Sequence, residues 1–200
     1  SLYPSVSSIS VSNCSEVTTG SYTGWKQSDS TWSSIVLGGG TDSSKSIGRI
    51  GCLATSISML IMKSGSLEML PAPTLVSASN FNPGTFVEAM NQVGGFDSGG
   101  NLFWEKVQEV VPKFKFESSL TASLSGLSKD AKLARIKEKV GRSNTYCVAE
   151  VKGNTGQHWV AIDCVNGDTI NMFDPGSSST SMWQQYDWSN TSTIQCFTTN

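Results

Sequence analysis

The stretch from Ser46 to Lys63, Ser-Ile-Gly-Arg-Ile-Gly-Cys-Leu-Ala-Thr-Ser-Ile-Ser-Met-Leu-Ile-Met-Lys, constrains this chain more than any other. A glycine-rich approach, Gly38-Gly39-Gly40 and then Gly48 and Gly51, runs into Cys52. Behind the cysteine, Leu53, Ile57, Leu60 and Ile61 fall at i, i+4, i+7 and i+8, one apolar stripe at period 3.6. Ala54, Thr55, Ser56 and Ser58 fill the gaps with small side chains, as in a helix packed tightly inside a domain. Ser64-Gly65 suits its end. Cys52 therefore belongs to a first helical turn, where unpaired N–H groups and the helix dipole favour an anion. In that setting a thiol becomes a thiolate, and a thiolate with partners is a nucleophile.

The chain of 200 residues is long enough for one domain with a sizeable core. Only 15% of it is charged, against roughly a quarter in an average soluble protein, and Ser, Thr, Gly and Asn make up the difference. The net charge of −2 points away from nucleic acid and from anionic membranes. No run is long enough to span a bilayer. The chain opens at Ser1, which fits a processed product or a piece of a larger modular protein. Residues 1–23, rich in Ser, Thr and Val without helical period, read as an arm or linker. Residues 24–200 read as one domain, with no internal repeat.

Pro71-Ala72-Pro73 breaks the chain after the central helix. Phe86, Ala89, Met90 and Val93 predict a second helix stopped by Gly94-Gly95. Phe103, Val107, Val110 and Val111 predict a third, stopped by Pro112. Ser128 and Asp130 open a fourth, carrying Leu133, Ile136 and Val140 and ended by Gly141. Gly94-Gly95 and Gly99-Gly100 bracket a loop that either borders a cleft or merely ends helices. Then Thr145–Val151, Gln157–Cys164, Asp168–Phe173 and Ser192–Thr198 are short, β-branched or aromatic, and separated by Gly, Asn and Pro turns. Helices first and an antiparallel sheet last is an α+β arrangement.

His158 is the one histidine, so any imidazole partner for Cys52 is this residue. It opens a strand beside the flexible Gly153-Asn154-Thr155-Gly156. A three-residue hairpin loop, Val165-Asn166-Gly167, would set Cys164 opposite Asp168 and therefore His158 directly opposite Asp174 on one face. A two-residue loop at Asn166-Gly167 would put Asp174 on the other face. An acyl-transfer cysteine needs a base in hydrogen-bond reach, and the base needs a third group to hold its ring. The oxyanion needs donors: the Cys52 N–H is one, and the Gln27 amide, flanked by Trp25 and Trp32, is a candidate for the other.

Gln27-x-Asp29-x-x-Trp32, Ile47-Gly48-x-x-Gly51-Cys52-x-x-Thr55-Ser56, His158-Trp159-Val160 and Asp174-Pro175-Gly176-Ser177 occur in that order. Together they resemble the papain-like cysteine peptidases related to bacteriocin-processing (double-glycine leader) peptidases, loosely from Tyr22 to Phe197. The resemblance implies a papain-like α+β fold, with a helical half carrying the cysteine and a sheet carrying His and Asp. It implies Cys52 as nucleophile, His158 as general base and acid, Asp174 as ring orienter and Gln27 as oxyanion donor, with no cofactor and no metal.

Competing sites are weaker. The cysteines and His158 lack the close spacing of zinc sites. Gly38–Gly40 is not followed directly by Lys-Ser/Thr, as the last glycine of a phosphate loop would be. Cys14, Cys147, Cys164 and Cys196 either pair or are small buried hydrophobes. The expected function is a cysteine peptidase acting on cell-wall peptides (peptidoglycan) as an extracellular or phage-borne module. Leader-peptide processing after paired glycines is the alternative within the enzyme class, and a catalytically inactive peptide-binding module the alternative outside it.

Overall fold

The structure, a computed structural model, describes residues 14–18, 20–69 and 75–200. The Pro71-Ala72-Pro73 break and residues 1–13 of the arm lie outside the described residues. The fold is α+β. A short helical turn α1, Ile47–Ile50, leads through Gly51 into the central helix α2, Cys52–Ser64. Residues Ala54 to Ile61 of α2 are all buried, so the small residues of its sequence are what lets elements close in on every side. Gly65 ends it in the left-handed conformation at φ 69°, its N–H bonded to the Met62 carbonyl.

Helix α3, Pro83–Gln92, begins with a reciprocal cap: Asn82 accepts from the Thr85 N–H while the Thr85 hydroxyl accepts from the Asn82 N–H. The predicted third helix is shorter than its stripe. Phe103 stays outside it, exposed and hydrogen-bonded through its N–H to the Gly95 carbonyl at 2.8 Å. A 3₁₀ turn, Trp104–Lys106, then precedes the single turn α4, Val107–Val110, and Pro112 bars any extension. Helix α5, Lys129–Val140, starts where Ser128 accepts from the Ala131 N–H. A last short helix, α6, spans Met182–Gln185.

Among the described residues, six antiparallel strands form one sheet: β1 Lys115–Phe116, β2 Ala122–Ser123, β3 Thr145–Gly153, β4 Gly156–Asn166, β5 Thr169–Phe173 and β6 Thr193–Thr198. Their order is β1-β6-β3-β4-β5, with β2 also on β6. Alternate residues feed two cores. Val148, Trp159, Ala161, Phe173 and Phe197 pack with α2, α3 and α4, whereas Cys147, Ala149, Val151, Val160 and Ile162 pack with Leu133 and Ile136 of α5. The sheet thus lies between two apolar layers.

The β4–β5 hairpin departs from the expected register. Asn166 pairs with Thr169 across a two-residue loop, Gly167-Asp168, with Gly167 at φ 61° in the position where a type II′ turn takes glycine. Cys164 therefore pairs with Asn171, not Asp168. That loop alone would turn Asp174 away from His158. A bulge between Ile162 and Cys164 inserts Asp163 and shifts the register by one, so that Ala161 pairs with Phe173. Parity is restored: carried one residue beyond β5, this register sets Asp174 beside Val160, diagonal to His158 and on its face. Asp163 is held in the bulge by Lys63 of α2 and by the Ser15 N–H at 2.7 Å.

All four remaining cysteines pair. Cys147–Cys196 joins directly opposed positions of β3 and β6, and Cys14–Cys164 ties residues 14–18 to β4. Cys52 is the free thiol.

Candidate active site

Cys52 owes its place to the glycine before it. A Cβ on Gly51 would lie 2.5 Å from the Ile47 carbonyl oxygen and 2.6 Å from its Cα, both backbone atoms that cannot yield. Glycine lets α1 fold back on the start of α2 and leaves Cys52 half-buried as the first residue of that helix. One turn along, the buried Ser56 hydroxyl donates to the Trp159 carbonyl at 3.2 Å, which seats α2 against β4 beside His158.

The structure brings His158, Asp174 and Cys52 together. His158 Nε2 lies 2.8 Å from Asp174 Oδ1, and the ring shares a cavity wall with Cys52, whose charge acts on it. With Nε2 engaged by the carboxylate, Nδ1 is the nitrogen left for sulfur. The Asp174 side chain is fully buried. Oδ1 also accepts from the Gly176 N–H at 2.9 Å, while Oδ2 accepts from the Ser177 hydroxyl at 2.6 Å and from the Tyr186 hydroxyl. Burial by itself would raise this carboxyl, yet the donors, His158 first, hold it below the usual carboxylate range. Burial likewise opposes a charged imidazole at His158. The hydrogen bonds and charges of Asp174 and Cys52 outweigh it and raise the ring's pKa to about 9. Tyr186 is pushed up, by burial and then by the neighbouring carboxylate. A Cβ at Gly176 would come within 3.0 Å of His158 Cε1 and 3.2 Å of Nε2, so the ring rests against a position that only glycine leaves open.

Gln27 reaches the same place from the other half of the chain. Its backbone N–H donates to the Pro175 carbonyl at 3.0 Å, and its side-chain amide donates to the Gly48 carbonyl at 3.3 Å. One amide hydrogen is thereby fixed and the second remains for another acceptor. The preceding residue is anchored as well: Trp32 Nε1 donates to the Lys26 carbonyl and Lys26 Nζ donates to the Asp174 carbonyl, each at 2.8 Å. Trp25 and Trp32 pack edge to face beneath the segment, with ring centroids 6.1 Å apart.

Two cavities meet at this point, and Gln27, Thr155 and His158 line both. One, of about 350 Å³, is lined by Cys52 and by the Phe96 to Leu102 loop, so the glycines at 94–95 and 99–100 do bracket a cleft wall. The other, of about 500 Å³, lies on the far side of His158, against Gly176, Ser177 and Tyr186.

Sequence reasoning missed Lys26, Ser177 and Tyr186. Ser177 stands inside the Asp-Pro-Gly-Ser block and could have been found there as a turn hydroxyl facing its own aspartate. Tyr186 is twelve residues from Asp174 on a loop after α6, and nothing local marks it.

No family model matches the sequence, and no curated protein matches it. Among solved structures, a crystal structure from Bacillus anthracis, provisionally described as a C39-like peptidase, is similar at a TM-score of 0.34 and 13% identity, covering 73% of this chain and 88% of that one. The α+β fold stands on the elements themselves.

Proposed function

We propose that this protein is a cysteine peptidase with Cys52 as nucleophile, His158 as general base and acid, Asp174 as ring orienter and Gln27 as oxyanion donor. The observation that carries the reading is the 2.8 Å hydrogen bond between the buried Asp174 and His158, with the free thiol of Cys52 lining the same cleft as that ring. His158 Nδ1 carries the proton given up by Cys52, and the Sγ thiolate attacks the substrate carbonyl. The oxyanion takes the free Gln27 amide hydrogen and the Cys52 N–H. The tetrahedral intermediate collapses as the imidazolium gives its proton to the leaving amine, which leaves a thioester on Cys52. Neutral His158 then takes a proton from water as the hydroxide attacks the thioester, releasing the acid and restoring the thiol. Throughout, the Asp174 carboxylate keeps Nδ1 turned to the reaction.

Within that class we favour a papain-like hydrolase of bacterial cell-wall peptides, carried by an extracellular or phage-borne modular protein, with residues 1–23 as an arm that the Cys14–Cys164 disulfide fastens to β4. Two disulfides support an oxidising compartment, and the low charge with abundant Ser and Thr supports an exposed setting. The test is to incubate wild type and Cys52→Ala with peptidoglycan fragments and with Gly-Gly leader peptides, and to read products by mass spectrometry. New amino termini from peptidoglycan with wild type alone are expected. Cleavage of leader peptides alone contradicts the cell-wall assignment, and equal products from both proteins contradict Cys52 as nucleophile.

A further inference from the structure

The two cavities have different chemical partners. The acyl half of a substrate is the half that becomes bonded to Cys52, so it lies in the cavity lined by that residue. The leaving amine receives its proton from His158 and departs on that side, into the cavity reached by His158 but not by Cys52. This assignment rests on the peptidase reading above.

The charges of the two sides differ. The leaving-side cavity is lined by both Lys152 and Asp187. Among the described residues, the acyl-side cavity has no Asp or Glu in its lining, and Arg49 is its one side chain of permanent charge. Arg49 stands three residues before Cys52, at the end of α1. Its backbone N–H is bonded to the Ser46 carbonyl, and its exposed guanidinium has no partner among the described residues. Carboxylates around the cleft are committed elsewhere, as is Asp42, the one nearest Arg49 in the chain, which accepts from Ser44 and pairs with Lys45. Asp97, on the loop that walls the cleft, accepts from the Gly99 and Asn101 N–H groups at 2.8 and 2.9 Å and from the Asn101 side chain. Glu150, paired with Trp159, accepts from the Gln157 amide and the Ser192 hydroxyl. The rest of the cavity wall includes the nearly buried Leu37, Phe96, Leu102 and Trp159, so Arg49 is the group on it that a carboxylate can pair with.

We infer that the acyl side of the cleft selects an acidic substrate: a peptide with a free carboxylate on the residues preceding the scissile bond, paired with the Arg49 guanidinium. Arg49 is on this account a specificity-determining residue, and its planar fork suits a carboxylate in two-point contact.

Matched peptides that carry Glu or Gln before the cleaved bond, including stem peptides with the acidic residue free or amidated, test this. Wild type is expected to cleave the acidic member faster, by up to about fivefold in kcat/KM, the upper end for a solvent-reachable ion pair. Arg49→Gln should abolish that preference while still cleaving the neutral peptide, and Arg49→Glu should reverse it. Binding of the same pairs to Cys52→Ala protein, by calorimetry, reads the preference without turnover. Acidic peptides bound preferentially but not cleaved would overturn the peptidase reading and leave the acidic ligand standing. Cleavage with equal rates for Glu and Gln peptides, or a preference unchanged in Arg49→Gln, would overturn the role of Arg49 and leave the peptidase reading standing.

Discussion

Lys26 Nζ donates to the main-chain oxygen of Asp174 at 2.8 Å, so the residue before the oxyanion donor is bonded to the residue that holds His158. The neighbouring bond, from the Gln27 N–H to the Pro175 carbonyl, doubles the tie. The two segments are 148 positions apart in the chain, yet the site cannot shift one without the other.

Removing that ammonium should therefore cost catalysis more than folding. Lys26 is half-buried, and burial lowers its pKa despite the facing Asp174 charge, so Lys26→Met fills the same space without a charge to desolvate. We expect kcat/KM to fall by about tenfold or more as Gln27 and Asp174 lose their common anchor, with thermal midpoint changed little. Steady-state kinetics beside thermal unfolding checks this, and an unchanged kcat/KM contradicts it.

Tyr186→Phe removes one of the four donors to Asp174. A hydrogen bond to the charged form favours it, so losing this donor should raise the Asp174 carboxyl toward its ordinary value. The acid limb of the kcat/KM profile should move up with it, while the alkaline limb stays within a few tenths of a unit. A profile measured from pH 3 to pH 10 decides, and an acid limb that stays in place rules out this role for Tyr186.

The same pair makes stability depend on pH in a defined direction. His158 has its pKa raised from 6.5 to about 9 in the folded chain, so its contribution is complete below about pH 6.5 and is lost as pH rises through about 9. Asp174 is depressed below 3.8, so its contribution is present above that value and lost as pH falls through its lower folded value. Denaturant unfolding of wild type and His158→Ala should show their stabilities converging between pH 6.5 and 9. Parallel curves across that window contradict the ion-pair assignment.

Gly51→Ala tests the junction behind the nucleophile. The added Cβ meets the Ile47 backbone at 2.5 Å, and relief requires α1 to move off the start of α2. A loss of about 1–3 kcal/mol in stability is expected, measured by urea unfolding. Gly39→Ala, at a glycine with open space around it but φ of 80°, separates crowding from backbone strain, since only Gly51→Ala should also depress the alkylation of Cys52.

What could be read from the chain was local. The stripe behind Cys52, the Ser128 cap and the Gly65 stop each depend on residues within a turn or two, and they fall where the pattern puts them. The strands of the terminal sheet were legible for the same reason, while β1 and β2, two residues each, exist only because β6 lies alongside them. The meeting of His158 and Asp174 was expected for the wrong register. A two-residue turn at Gly167-Asp168 combines with the Asp163 bulge, and that bulge is held by Lys63 on another element and by Ser15 far upstream. Contacts of that range leave no periodicity to read. Tyr186 and Lys26 were hidden in the same way: each is an unremarkable residue until folding brings it to Asp174.

Alkylation of Cys52 tests the central claim most directly, because Cys52 is the free thiol and His158 the one histidine. Iodoacetamide modification near pH 6, followed by intact-protein mass spectrometry, reads the nucleophile without any substrate. A single fast adduct in wild type that slows at least tenfold in His158→Ala is the predicted result. Equal rates in the two proteins would show that the imidazole does not activate the sulfur, and would contradict the account.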